Sequence, residues 1–188
     1  RDSIFEARKL ANLNFPRCDL PSPGLTAGTC LRKDFGMLNE WSPYPDILIS
    51  AWKMNEFTPV MLVKQISKRI NILNKNVAVL GYTFKRDTDD IRDSLVPKLC
   101  RYIKRCSPSD ILVSDHNIKS KYIEDDHKFK YKNWLASDAL NKSDCVFVAI
   151  NHTGYLEELM KIAKTKPQIW IADIWNVGNL DKVYYQAY

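Results

Sequence analysis

The residues best suited to chemistry stand together in TCLRKD, residues 29–34. Thr29 can cap a helix whose apolar positions Leu31, Phe35 and Leu38 follow the helical period, which puts Cys30 in the first turn. A thiol there feels the positive end of the helix dipole and, one turn along, the ammonium of Lys33; both favour the thiolate, the nucleophilic form. Asp34, four residues on from Cys30, shares its face and can orient a water or a substrate hydroxyl. The same spacing also describes a structural cysteine beside an ordinary surface ion pair. The loop before it, PGLTAG, carries Gly24 and Gly28 and can bring backbone N–H groups close to a phosphate or sugar, or simply connect two helices.

A second constellation is GYTFKRDTDDIRDS, residues 81–94, directly after a β-rich run. In an open parallel sheet, ligands bind beyond the carboxyl ends of the strands, so Phe84, Lys85 and Arg92 stand where a base or a phosphate can be held. The competing reading is a charged crossover loop in which Asp87, Asp89 and Asp90 pair with Lys85, Arg86 and Arg92. His152 follows a later strand and either meets a ligand or caps the next helix.

The elements that must position these residues fall into two parts. Up to about residue 73 the patterning is helical. Ser3 and Glu6 have capping-box spacing ahead of Ile4, Ala7, Leu10 and Ala11, and this helix ends before Pro16. After the helix that starts at Thr29, a further helical pattern runs from Asp46 to Leu73, and Pro59 is expected to kink or restart it. From residue 76 the rhythm becomes short β-rich runs separated by helix-length segments: NVAVLGY, DILVS, DCVFVAI and QIWIAD. That alternation predicts an α/β fold, an open parallel sheet of βαβ units. Between the first two runs, Asp93 or Ser94 is expected to cap a helix with Leu95, Leu99 and Ile103 facing inward. The division is thus 1–73, helical, and 74–188, α/β. The six glycines, at 24, 28, 36, 81, 154 and 178, form no G-x-G-x-x-G, so the dinucleotide fingerprint is absent from this sheet.

Composition narrows the partners. At 188 residues and 45% hydrophobic content, a core can form without staples, since folding at this length buries roughly 70% of the unfolded surface. The net charge of +6 permits an anionic partner such as a phosphorylated small molecule. Cations and aromatics do not interleave on one expected face, so no nucleic acid is expected. Five cysteines without a C-x-x-C, and three scattered histidines, argue against a disulfide framework and a metal site and for a reducing, cytoplasmic compartment. No apolar run approaches membrane-spanning length. The chain opens on RDSIFEARKL without an initiator Met, which suggests a fragment.

The two constellations together resemble a family, the nucleotide-sugar (UDP-sugar) 6-dehydrogenases. PGLTAGTCLRKD is similar to that family's glycine-rich loop and catalytic cysteine, and NVAVLGYTFKRDTDDIRDS to the signature that opens its C-terminal domain. Met54-Asn55-Glu56, DCVFVAI followed by Asn151-His152, and Asp173 are supporting matches. The resemblance implies the end of a central, dimer-forming helical domain followed by a Rossmann-like UDP-sugar-binding domain, with the NAD-binding domain and the family's catalytic lysine and asparagine upstream. It implies oxidation of a C6 alcohol to a carboxylate with NAD as cofactor, a UDP-sugar substrate and a homodimer. By the same resemblance, Cys30 and Asp34 are catalytic. Gly24, Gly28, Lys33, Phe84 and Lys85 meet the substrate, Arg17 enters the neighbouring subunit's site, and Arg92 reaches toward NAD. Two departures are visible. Asp173 is followed by Ile174 and Trp175 where the family commonly has an arginine two residues after the aspartate, and Arg32 stands where a proline often precedes the Lys-Asp pair. The alternative reading is a nucleotide-sugar-binding or oligomerisation module without catalysis.

Overall fold

The structure, a computed structural model, describes residues 4–14, 17, 19–125 and 128–183. Ser3, Pro16, Cys18 and His127 lie outside these residues. The first part holds α1 (Ile4–Ala11), α2 (Thr29–Trp41) and α3 (Asp46–Ser67). The second runs β1 (Asn76–Leu80), α4 (Val96–Lys104), β2 (Asp110–Ser114), β3 (Tyr122–Glu124), β4 (Lys130–Lys132), α5 (Ala136–Lys142), β5 (Cys145–Val148), α6 (Tyr155–Thr165) and β6 (Trp170–Ala172).

All four expected strands form, and they pair in parallel in the order β2-β1-β5-β6. Val77 sits opposite Ile111 on one side and Cys145 on the other. Because successive side chains point to opposite faces, each strand feeds two cores. Val77, Val79, Val113 and Phe147 pack under Leu62, Val63 and Ile66 of α3 and Val96, Leu99 and Ile103 of α4. Ala78, Leu80, Leu112, Val146 and Val148 pack under Leu140 of α5 and Tyr155, Leu159 and Ile162 of α6. The fold is therefore an α/β layer with helices on both faces. The chain leaves β1 toward β2 on one side and later returns to β5 on the other, which makes the gap between the carboxyl ends of β1 and β5 the switch point where such sheets bind ligands.

Several local expectations are corrected. α3 passes through Pro59 as one helix and ends at Ser67, not Leu73. A proline inside a helix costs about 3 kcal/mol. Burial of Leu62, Val63 and Ile66 on the sheet, at about 1.5–3 kcal/mol for each such side chain, outweighs it. Thr29 is the first helical residue of α2, with Gly28 at the cap position. Leu95 takes the cap position of α4, while the Ser94 hydroxyl accepts the N–H of Val96 (3.1 Å) and donates to the Thr83 carbonyl (3.0 Å). α1 forms but buries none of its residues. The antiparallel β3–β4 pair was not expected: three-residue strands reading YIE and KYK are too short and too charged to register as a pattern. Among the described residues, no helix is long and apolar enough to cross a membrane.

Candidate functional site

The glycine loop ahead of α2 is held from three directions. Leu25 is its anchor, buried in the core beside α3. Asn55 of α3 donates its side-chain amide to the Thr26 carbonyl at 2.7 Å. At one end of the loop the Trp175 indole lies directly on Gly24, where any Cβ would run into the ring. At the other end the Phe84 ring lies on Gly28: a Cβ there would stand 2.8 Å from Phe84 Cδ2. Gly28 also sits at φ 120°, ψ 153°, a region essentially reserved for glycine. The expected contact residues Gly24, Gly28 and Phe84 thus belong to one packed arrangement that joins α2 to the ends of β1 and β6.

Cys30 is exposed in the first turn of α2. Lys33 and Asp34, both exposed, pair with each other at 3.6 Å. Arg32, standing where the family often has proline, ties α2 down: its guanidinium is 3.4 Å from Asp93 and 3.8 Å from Glu56. Glu56 in turn meets Lys98 of α4 at 2.9 Å. Phe35 stacks on Trp52 of α3, with ring centroids 4.5 Å apart and planes at 14°. Asn55 and Glu56 therefore act as braces, which spacing alone did not disclose. Arg17 is exposed in the turn after α1 and joins no ion pair among the described residues.

The loop after β1 is as firmly organised. Asp115, buried at the end of β2, accepts the N–H groups of Tyr82 (2.7 Å) and Thr83 (3.2 Å) on Oδ2 and that of Asn117 (3.0 Å) on Oδ1. Burial by itself would raise its pKa, but the bond to His152 and these backbone donors outweigh it and hold the carboxyl below its ordinary value. An acid at the end of the second strand invites a role on a ribose. Here its lone pairs are consumed inside the protein.

Arg92 closes on Asp90 through three contacts of 2.7–3.1 Å, and hydrogen bonding to Arg92 is the main cause of the depressed pKa of Asp90. Arg92 is itself raised, first by Asp90, with a smaller contribution from Cys30, which places the α2 thiol within electrostatic range of this loop. Arg86 pairs with Asp87 at 3.1 Å. Two ion pairs of the charged-loop reading are thus present, Asp90 with Arg92 and Asp87 with Arg86. Lys85 is not among them; its ammonium lies over the Phe84 ring, 5.3 Å from the centroid.

At the other strands one expectation changes and one departure finds its place. His152 does not cap α6, whose cap is the left-handed Gly154; its imidazole is fully buried. Trp175 packs on Gly24 and donates Nε1–H to the Ala149 carbonyl at 2.7 Å. It also lines a cleft of about 400 Å³ at the carboxyl ends of the strands, with Arg86, Asn151, Thr153 and Val177.

Against known proteins, residues 78–179 match the model of the UDP-glucose/GDP-mannose dehydrogenase family, UDP binding domain. The chain belongs to this family. The UDP-N-acetyl-D-mannosamine dehydrogenase of Campylobacter jejuni is 34% identical over 160 residues, covering 82% of this chain and 39% of that protein. A UDP-N-acetyl-D-mannosamine dehydrogenase of Methanococcus vannielii is 27% identical over 187 residues, covering 94% and 41%. Among solved structures, the UDP-D-ManNAc dehydrogenase of Pyrococcus horikoshii superposes with a TM-score of 0.72 at 23% identity, covering 94% of this chain and 41% of that one, and so shares the fold. The chain spans about two fifths of the length of these dehydrogenases. In this member of the dehydrogenase family Trp175, the departure noted in the sequence, is a packing residue.

Proposed function

We propose that this chain is the C-terminal part of an NAD-dependent nucleotide-sugar 6-dehydrogenase that oxidises the C6 alcohol of a UDP-linked hexose to a uronate. The contact of Phe84 with Gly28 carries this reading, because it sets the loop leading to Cys30 against the first loop of a UDP-binding domain. The names of the relatives favour N-acetyl-D-mannosamine as the sugar. Residues 1–73 then belong to a central domain and 74–188 to the UDP-sugar-binding domain. Exposed apolar side chains on α2, α3 and the turn between them, Trp41, Tyr44, Ile47 and Met54 among them, support a homodimer through the helical part.

In this mechanism Lys85 and Phe84 hold the nucleotide, and backbone N–H groups near Gly24 and Gly28, with Lys33, meet the substrate; Arg17 serves the neighbouring subunit. Once the alcohol has become an aldehyde, the Cys30 thiolate adds to C6, the C–S bond forming as the carbonyl π bond opens and its electron pair passes to the oxygen. The tetrahedral adduct can lose a hydride that the planar aldehyde does not readily give up, and a thioester results. Water, oriented and deprotonated by Asp34, attacks the thioester carbon, the C–S bond breaks, and the thiolate returns with release of the carboxylate. NAD+ supplies the acceptor for both hydrides. The chain has no glycine fingerprint of its own for that cofactor, and its fit is limited to Arg92, which is three-quarters exposed and would exchange its Asp90 contacts for a cofactor held by another domain.

Calorimetric titration of the chain with UDP, GDP and UDP-N-acetyl-D-mannosamine tests the binding half of this reading. Uptake of the UDP compounds in preference to GDP is expected; failure to bind any of the three contradicts it.

A further inference from the structure

β5 leads into Asn151 and His152, and the His152 imidazole sits between the loops that follow β1 and β2. Its Nδ1 lies 2.9 Å from the backbone nitrogen of Asp87, which can only donate, so Nδ1 is an acceptor without a proton. The side-chain amide of Asn117 donates to the same nitrogen at 2.9 Å. The ring proton is thereby assigned to Nε2, which faces Asp115 Oδ2 at 3.1 Å and Thr83 Oγ1 at 3.2 Å. The Thr83 hydroxyl gives its own hydrogen to the Lys85 carbonyl (2.9 Å) and so accepts from the ring.

These bonds bracket three residues, Phe84, Lys85 and Arg86. Thr83 and Asp87 flank this segment, which contains Phe84 and Lys85, and one imidazole grips both its ends. The next residue, Thr153, strengthens the grip: its N–H and hydroxyl donate to the Asp87 carboxylate at 2.9 and 2.7 Å. Asp87 is held at φ 53°, a conformation that non-glycine residues seldom adopt without such restraint.

We propose that His152, in its neutral Nε2–H tautomer, is a positioning residue that fixes the Phe84-Lys85 segment in its ligand-ready conformation from the far side of the switch point. This rests on the reading of Phe84 and Lys85 as nucleotide-sugar contacts. The alternative for a fully buried histidine is support of the fold alone, and the two separate by which bond is kept. His152→Asn leaves an acceptor at the Nδ1 position and so retains the Asp87 link; His152→Gln leaves a donor at the Nε2 position and retains only the Asp115 side.

The experiment measures hydrogen-exchange protection of the Asp87 amide and the affinity for UDP in the wild-type chain and both variants. Loss of one such bond, worth about 1.4 kcal/mol, corresponds to about a tenfold change. His152→Gln is expected to lose about tenfold in both readouts, with His152→Asn within about threefold of wild type on the same scale. Unchanged Asp87 protection in His152→Gln overturns the proposal, and so does equal UDP affinity in the two variants when the wild-type chain binds UDP. If the protection order holds but the wild-type chain does not take up UDP, the positioning geometry is supported and the nucleotide reading is the one that falls. Thr153→Val, at an exposed position, provides a second variant that leaves the buried imidazole in place: it removes one of the Asp87 bonds and must lower the same protection, or the clamp is not as described.

Discussion

The ring of Phe84 rests on Gly28 so closely that a methyl group on Gly28 would overlap it. Two segments 56 positions apart in sequence, 28 and 84, are thereby locked together, one leading into Cys30 and the other into Lys85. Gly28→Ala meets two penalties, the clash and the positive φ, and is expected to cost about 1–3 kcal/mol. Removing the ring relieves the first and not the second. In urea unfolding, Gly28→Ala combined with Phe84→Ala should therefore cost less than the sum of the single changes; strict additivity would show that the contact is not tight.

The cysteines divide by accessibility. Cys30 is exposed, whereas Cys100 and Cys145 are buried, and burial pushes both thiols up to about 12. Alkylation of the native chain, followed by peptide mass analysis, should label Cys30 first and leave Cys100 and Cys145 unmodified until denaturant is added. Equal labelling of Cys30 and Cys145 in the native state would contradict the packing described.

Asp173, at the end of β6, is buried, and burial pushes its carboxyl up to about 6. One of its oxygens has no hydrogen-bond partner. The folded state binds this proton more tightly than the unfolded state, so the stabilisation is complete below about pH 4 and is lost as pH rises through about 6. The loss amounts to about 3 kcal/mol. Asp173→Asn should remove that slope, so the difference in unfolding free energy between the two proteins should change between pH 4 and 7 in favour of the variant. A constant difference across that range would show that the carboxyl does not titrate there.

Trp175 couples β6 to the glycine loop through Gly24 and to β5 through the Ala149 carbonyl. Trp175→Phe keeps most of the packing and removes the indole donor, which should cost about 1 kcal/mol. Trp175→Arg, which removes the ring altogether, loses both and should cost more. Denaturant midpoints check the order; an arginine variant as stable as the parent would show that Gly24 does not depend on this ring.

Most of the sheet was legible because its strands are runs of β-branched and aliphatic residues with glycine or aspartate at their ends, and Val77 to Leu80 alternate between two apolar cores as period-2 side chains must. The position of Cys30 in the first turn of α2 followed from helical spacing. What stayed hidden depends on contacts distant in sequence. Thr29 looks like a cap until Gly28 is required under Phe84. Pro59 looks like a break until three buried side chains beyond it hold α3 on the sheet. Asn55, Glu56, Asp115 and His152 acquire their roles only when loops from separate strands meet, and no local pattern records such a meeting.

In the proposed mechanism the Cys30 sulfur bonds covalently to the carbon being oxidised. The most direct measurement is the rate of uronate formation from UDP-N-acetyl-D-mannosamine and NAD+ by the full-length protein with and without Cys30→Ala. Uronate formation should fall by at least about a hundredfold in the variant, as loss of a covalent nucleophile requires. Uronate formed at the parental rate would contradict it.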